Sequence, residues 1–287
     1  MCNAEIDYSN KTFTLDSFKH YIGKIKKYQF FSCTISGGEP TIVKEMPEIL
    51  EEAVKHFPFG VSLITNLYGS SKLLYRTIET ALRLNVRISV SFDGFGEVAD
   101  KLRGAKNVSE SLIKNIEWVN KKKIELKSKS STTLHTVISM DNISQVPDIM
   151  DYAKKVGWDH TVAPVNNFFY QDPDDPNLPK LYYSDELKEL IERAIKEKNM
   201  GQNNKFLKGI LYYLKDKAPK LCPYLKPNLK NYKIFLEPDG EVSLCDRISL
   251  GSLDDKPLHE MFEGEIYQKS IEDYKKCQGC WLECFVA

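Results

Sequence analysis

Phe30-Phe31-Ser32-Cys33-Thr34-Ile35-Ser36-Gly37-Gly38-Glu39-Pro40 runs from an apolar stretch straight into a paired-glycine turn that carries a carboxylate. The apolar run predicts a buried strand over 30–35, and the glycines at its end let the backbone approach a ligand closely. Upstream, Leu15, Phe18, Ile22 and Ile25 fall at helical spacing, so the strand is preceded by a helix. The same unit recurs downstream: helix over 46–56 and strand over 61–65, then helix over 70–84 and strand over 87–92. Ser109 is placed to cap a helix whose apolar face is Leu112, Ile113, Ile116 and Val119, followed by a β-branched strand over 132–138. Ser144 is placed to cap the next helix, with Pro147 in its first turn and Gly157 past its end, before a strand over 161–163. Alternation of this kind predicts an α/β fold with a parallel sheet, as a β/α barrel or part of one.

Beyond it, Pro173, Pro176 and Pro179 among acidic and aromatic residues mark a loop over 166–183. Two helices are expected next, on the apolar positions Leu187, Leu190, Ile191, Ala194 and Phe206, Leu207, Ile210, Leu211, Leu214. A cysteine-rich tail follows, in which apolar runs over 234–236 and 242–244 flank Pro238-Asp239-Gly240, residue types suited to a β-hairpin turn. The expected division is a barrel over 1–180, a helical connection over 181–218 and a small cysteine-rich domain over 219–287.

Forty basic and forty acidic residues balance, which gives none of the basic footprint of a nucleic-acid binder. No apolar stretch approaches the roughly 18 residues that span a bilayer, and the first residues lack the pattern of a secretory signal, so no membrane partner is expected and the reading is cytoplasmic. In that reducing setting seven cysteines, two of them as Cys277-x2-Cys280, favour metal ligation over disulfides. Cys33, inside a strand, reads as a small core residue. His20, His56, His135, His160 and His259 are scattered and draw no assignment.

The ordered series Gly37-Gly38-Glu39-Pro40, Thr65-Asn66, Ser91-Phe92-Asp93-Gly94 and, in a loop, Leu102-Arg103-Gly104, with cysteines at 222, 245, 277, 280 and 284, resembles a radical SAM enzyme. Its tail resembles the auxiliary iron-sulfur domain called SPASM, or its shorter twitch form. The fold implied is a partial (β/α)6 TIM-like barrel lacking its first strand, with a small cysteine-rich domain containing a β-hairpin. The resemblance implies S-adenosylmethionine bound beside a [4Fe-4S] cluster, whose reduction generates a 5′-deoxyadenosyl radical for hydrogen abstraction. It places Gly37, Gly38, Glu39 and Pro40 at the methionine moiety, with Glu39 accepting from the ammonium group. Thr65 and Asn66 follow in the cofactor-binding set, Ser91 and Asp93 lie near the ribose, and Arg103 is placed at the carboxylate. The bland alternative for Arg103 is a surface residue facing solvent or Asp100. Where the family usually has glycine after the Thr-Asn pair this chain has Leu67, which puts close backbone approach there in question.

The family holds its first cluster with a Cys-x3-Cys-x2-Cys loop, of which only Cys2 is present. The expectation is a sequence truncated within that loop, and a chain inactive until two more thiolates are supplied; the opposing view is a natural start with an unimportant Cys2. In the tail, Cys222, Cys245, Cys277 and Cys280 are the implied ligands of an auxiliary [4Fe-4S] cluster, with Cys284 an alternative or neighbouring thiol. Expected partners are a small-molecule or peptide substrate and an external electron donor. A rival reading is a non-catalytic degenerate barrel whose tail holds structural zinc, since tetrahedral zinc also takes four thiolates. A barrel hydrolase using Glu39 and Asp93 as acid and base leaves the tail cysteines unexplained.

Overall fold

Thr14 starts the first helix, α1 (Leu15–Ile25), by accepting from Ser17 N, and Ser17 Oγ reciprocates to the Thr14 backbone. A computed structural model describes residues 12–166, 178–215, 233–245, 248–276 and Trp281. Five strands, β1 (Cys33–Ile35), β2 (Val61–Thr65), β3 (Arg87–Ser91), β4 (Thr132–Ile138) and β5 (Asp159–Pro164), lie in sequence order with every pair parallel. The connecting helices are α2 (Met46–Ala53), α3 (Lys72–Arg83), α4 (Gly96–Arg103), α5 (Val108–Glu125) and α6 (Val146–Val156). β1 is shorter than its apolar run suggested: Phe31 is exposed, and only 33–35 pair with β2.

The sheet is apolar on one face only. Leu63, Ile88, Val90 and Leu134 are buried against the helices with Leu50, Ile78, Ile116 and Ile149. Ser62, Ile64, Ser89, Ser91, Thr133 and His135 alternate onto the other face and are half-buried or exposed. Parallel sheets are normally buried on both faces by apolar side chains, so a hydroxyl-lined face is a surface left for something polar.

Beyond β5, His160 N donates to Asn199 O (2.8 Å), Gly201 N to His160 O (2.8 Å), and Met200 makes a parallel bridge to His160. The Gln202 side chain pairs with Val162 N and O at 2.8 and 2.7 Å, closing the sheet edge with an amide in place of a strand. The helices α7 (Asp185–Lys196) and α8 (Asn204–Tyr213) start at Ser184 and Asn203, whose side chains cap them. Their apolar faces join Val162, Ile138 and Trp281 in a second cluster.

A three-stranded antiparallel sheet follows: β6 (Phe235–Leu236), β7 (Glu241–Cys245) and β8 (Ile248–Ser252), then α9 (Leu258–Glu263) and α10 (Glu265–Lys276). Gly240, between β6 and β7, has φ +81°, and a Cβ there would meet the Tyr21 ring at 2.4 Å, so the turn requires glycine twice over. This sheet rests on α1. The Asp254 carboxylate, half-exposed, accepts from Lys24 Nζ (2.6 Å), His20 Nε2 (3.0 Å) and Tyr21 Oη (2.8 Å), and those hydrogen bonds hold it well below the usual carboxylate range. Tyr28 Oη meets His259 Nδ1 at 2.9 Å. The sequence assigned neither histidine a role; His20 joins α1 to Asp254 just after β8, and His259, on α9, joins the 3-10 turn Lys26–Tyr28 that follows α1.

Several local expectations are corrected. Ser109 lies inside α5 and is not its cap; the Asp100 carboxylate accepts from Asn107 N (2.9 Å) and Val108 N (2.8 Å) instead. Ser144 lies in a 3-10 turn (Ile143–Gln145) ahead of α6 and does not cap it, while Gly157 does end that helix at φ +74°. Arg103, expected in a loop, is the last residue of α4.

His160 is fully buried on β5, and burial, followed by the neighbouring His135, pushes its pKa down to about 3. Thr136 Oγ1 donates to Phe92 O (2.7 Å), so His160 Nε2 must donate to Thr136 Oγ1 (2.9 Å), leaving buried Nδ1 unprotonated and without a partner. Below the unfolded-state value near 6.5 the unfolded chain binds a proton that the native state refuses, so stability falls as pH drops from about 6.5 towards about 3. His160→Gln is expected to flatten that acid limb in urea-unfolding curves at pH 7 to 4; an unchanged slope contradicts the assignment.

Candidate functional site

Because all five strands are parallel, their C-terminal ends lie along one edge, and the segments singled out in the sequence follow β1, β2 and β3 there. In parallel α/β sheets that edge is where binding groups collect.

At the end of β1, Gly37 has φ +140°, a conformation suited to glycine, and a Cβ at either Gly37 or Gly38 would meet nothing within 4 Å among the described residues. The pair therefore borders open space. Glu39 points the other way. Its Oε1 accepts from Thr41 N (3.0 Å), Thr41 Oγ1 (2.7 Å) and Thr65 Oγ1 (2.7 Å), and its Oε2 accepts from Asn66 N (2.7 Å). A carboxylate offers about four acceptor positions, so most of this one is spent tying the β1 turn to the end of β2. Pro40 opens the 3-10 turn Pro40–Ile42 and is buried. Thr65 and Asn66 are thus brought into contact with Glu39, as a brace.

Leu67 adopts φ +48° while its side chain is fully buried. Leu67 N donates to Thr65 Oγ1 (2.9 Å), and Asn115 Nδ2 donates to both Leu67 O and Gly69 O at 2.8 Å. The left-handed backbone that usually calls for glycine is present; a leucine occupies it and anchors the turn in the core. Such a conformation costs about 1–2 kcal/mol, whereas emptying a buried leucine site costs about 2–5 kcal/mol. Leu67→Gly is therefore expected to destabilise by about 1–3 kcal/mol in denaturant titration; a stabilised variant refutes this balance.

At the end of β3, Ser91 is half-buried on the polar face, while Asp93 is 3% exposed. Asp93 Oδ1 accepts from Val137 N (2.9 Å), and Oδ2 pairs with Arg103 Nη2. Arg103 therefore answers to Asp93 and not to Asp100, which is occupied with α5. Sequence reasoning missed His135, which is next to Ser91 in the β3–β4 register. Its Nδ1 meets Thr161 Oγ1 at 2.9 Å, and its pKa is lowered by burial first, with Asp93 opposing and Arg103 reinforcing. The signal was its position, alternating onto the polar face with Thr133 and Val137.

Cys33 is a free thiol whose pKa burial pushes up to about 12, an inert core residue. Cys245 ends β7. Cys2, Cys222, Cys277, Cys280 and Cys284 lie outside the described residues. Trp281, beside Cys280, is buried on α8 with its Nε1 donating to Phe206 O (3.0 Å). No group of three potential metal ligands occurs among the described residues, and none of their helices is long and apolar enough to cross a membrane.

Two family models match in order: the radical SAM superfamily over residues 2–153, just over half of the chain, and SPASM, an iron-sulfur cluster-binding domain, over 228–281. A PqqA peptide cyclase of Bradyrhizobium diazoefficiens is 28% identical over 196 residues, 67% of this chain and 49% of that protein. A probable GTP 3',8-cyclase of Methanococcus maripaludis is 28% identical over 195 residues, 65% of this chain and 61% of that protein. The chain thus spans about half to three-fifths of the length of these relatives. Streptococcus suis SuiB superposes with a TM-score of 0.65 at 16% identity, covering 96% of this chain and 66% of SuiB; it has also been solved with the precursor peptide SuiA, at a TM-score of 0.61. At that identity the likeness is one of fold.

Proposed function

The chain belongs to the radical SAM superfamily, and from that premise we propose that it is the cofactor-binding core and auxiliary-cluster domain of an enzyme that modifies a peptide by hydrogen abstraction. The observation that carries the reading is the glycine pair: Gly37 and Gly38 face open space at the sheet edge, beside a turn that Glu39 fixes to β2. That cradle fits the methionine end of S-adenosylmethionine, which needs close backbone approach. Ser91 supplies a hydroxyl for the ribose and Arg103 a guanidinium for the carboxylate. When bound, S-adenosylmethionine and a reduced [4Fe-4S] cluster supply a 5′-deoxyadenosyl radical.

The protein's own work is positioning and exclusion of water. Glu39 and Asp93 brace adjacent strand ends, so the groups facing the cofactor need not reorganise. The hydroxyl-lined face with His135 suits a polar substrate, and names such as PqqA peptide cyclase and the SuiB–SuiA pair favour a peptide. Cys2 belongs to the loop that holds the first cluster, whose chemistry needs three thiolates. In the tail, Cys222, Cys245, Cys277 and Cys280 are proposed to hold the auxiliary cluster, with Cys284 as the alternative ligand. An external donor supplies the electron, and the protein works in the cytoplasm.

We assign 1–180 to the core barrel, 181–218 to the helical connection and 219–287 to the cluster domain, with β6 and β7 as its hairpin. The five parallel strands and the Met200 bridge are read as a (β/α)6 barrel without its first strand.

Gly38→Val tests the cradle, because a Cβ there meets no atom of the described residues within 4 Å, so the added side chain enters the cradle itself. Equilibrium dialysis of S-adenosylmethionine under argon should show binding to the reconstituted protein and its loss in the variant, at unchanged thermal stability. Equal binding by both proteins, or none by either, overturns the reading.

A further inference from the structure

The sequence series that resembles the family's placed Asp93 at the ribose. Its environment in this fold assigns it elsewhere. The Asp93 side chain is 1% exposed; Oδ1 accepts a hydrogen bond from Val137 N, and the buried Oδ2, which accepts no hydrogen bond, lies in ion-pair contact with the Arg103 guanidinium. The backbone around it is fixed as firmly. Asn142 Nδ2 donates to Asp93 O (2.8 Å) and to Val137 O (2.9 Å), while Asn142 Oδ1 accepts from Ser139 N (2.8 Å). At the next residue, a Cβ on Gly94 would lie 2.9 Å from Val98 Cγ1 and 3.0 Å from Gln145 Oε1, so any side chain there would displace both. No rotation of the carboxylate towards the polar face is available without breaking this set.

Arg103 is differently placed. It ends α4, where a cation is favoured by the helix carbonyls, and Gly104 turns the chain away at φ +64°. Its side chain is 22% exposed. Asp93 Oδ2 is in ion-pair contact with Nη2, at one corner of the guanidinium. A guanidinium carries five N–H donors in a rigid plane, so fixing one corner sets the direction of the others. An arginine on a helix end would otherwise sample several rotamers; this one is held.

We propose that Asp93 is a positioning residue that aims the Arg103 guanidinium at the amino-acid carboxylate of the cofactor and makes no contact with the ribose, a task left to Ser91. The inference rests on the cofactor reading above and deepens it. It divides the cofactor between two supports: the nucleoside is held by Ser91, and the carboxylate by Arg103 acting under the control of Asp93.

Two thioethers separate the roles. S-adenosylhomocysteine and 5′-methylthioadenosine share the nucleoside, and only the first carries the amino-acid carboxylate. In anaerobic equilibrium dialysis Asp93→Asn should weaken S-adenosylhomocysteine about ten- to hundredfold, with 5′-methylthioadenosine changed by less than about twofold. Arg103→Lys should give the same split, because it keeps a cation for Asp93 and loses the planar fork. Equal weakening of both ligands means a ribose contact and overturns the proposal; so does no weakening of either. If the wild-type protein binds neither thioether, the cofactor reading itself fails.

The tether has a test that needs no ligand. In ¹⁵N spectra the Arg103 guanidinium signals should be slowly exchanging in the wild type and averaged in Asp93→Asn. Averaged signals in the wild type would remove the tether whatever the binding data show.

Discussion

Replacing Gly209 with alanine is expected to expel Trp281 from its seat on α8 and to destabilise the protein by about 3–5 kcal/mol, the cost of losing a buried tryptophan. An alanine Cβ at this position would lie 1.7 Å from Trp281 Cζ2 and 2.4 Å from Cη2, distances that no real Cβ tolerates. The indole cannot slide aside. It is 3% exposed, stacked on Phe206 with centroids 6.0 Å apart and on Tyr213 at 6.3 Å, and pinned by Nε1 to Phe206 O. Intrinsic helix preference points the other way, favouring alanine over glycine by about 1 kcal/mol. The sign of the change is therefore informative. Because Trp281 follows Cys280 directly, the variant should also lose iron from the tail while residues of the first core cluster stay folded. Denaturant titration followed by tryptophan fluorescence gives the stability, and iron analysis gives the second outcome. A variant stabilised by about 1 kcal/mol with a full complement of iron would refute the packing.

The second large effect is expected at Glu39. Glu39→Gln is isosteric, yet one of its two ends must present an NH2 group where Asn66 N or the hydroxyls of Thr41 and Thr65 now donate. Opposed donors in a partly buried turn leave at least one group unsatisfied, a loss of about 1–3 kcal/mol. Glu39→Ala removes all four bonds and is expected to cost about 3–5 kcal/mol, with S-adenosylmethionine binding abolished. The comparison separates two roles. A carboxylate that served only the cofactor's ammonium group could be replaced by glutamine without loss of stability, whereas the brace cannot. Thermal unfolding of the ligand-free protein distinguishes them, and an unchanged midpoint in Glu39→Gln would rule out the brace.

The parallel sheet was legible because its signals are local. Val61–Thr65 and Thr132–Ile138 alternate or run apolar between turn residues, and both emerged with the expected bounds. The glycine pair and Glu39 were legible as chemistry, because a paired-glycine turn after a strand has few uses. What the sequence hid was set by distant partners. Helix α4 buries only Ala99 and Leu102, too few positions for a helical stripe to stand out against the turn signals ahead of it. Asp100, the acid nearest Arg103 in sequence, caps α5, and the arginine turns to Asp93 across the strand end. Strand β8 was missed, since Gly251 interrupts its pattern and its partner β7 supplies the register. The indole of Trp281 and the carbonyl of Phe206 are 75 residues apart, beyond any periodicity. The histidines of α1 and α9 likewise acquired their roles from the docking of one sheet on one helix.

Sulfur-ligated iron is the claim on which the functional account stands, and anaerobic reconstitution with ferrous iron and sulfide, followed by Mössbauer spectroscopy and metal analysis, tests it most directly. The expected product is a brown protein with about four irons and four sulfides held by the tail, its colour bleached by dithionite and lost in the double variant Cys277→Ser/Cys280→Ser. A colourless protein that takes up zinc alone, or a brown one whose iron is indifferent to those two cysteines, would contradict it.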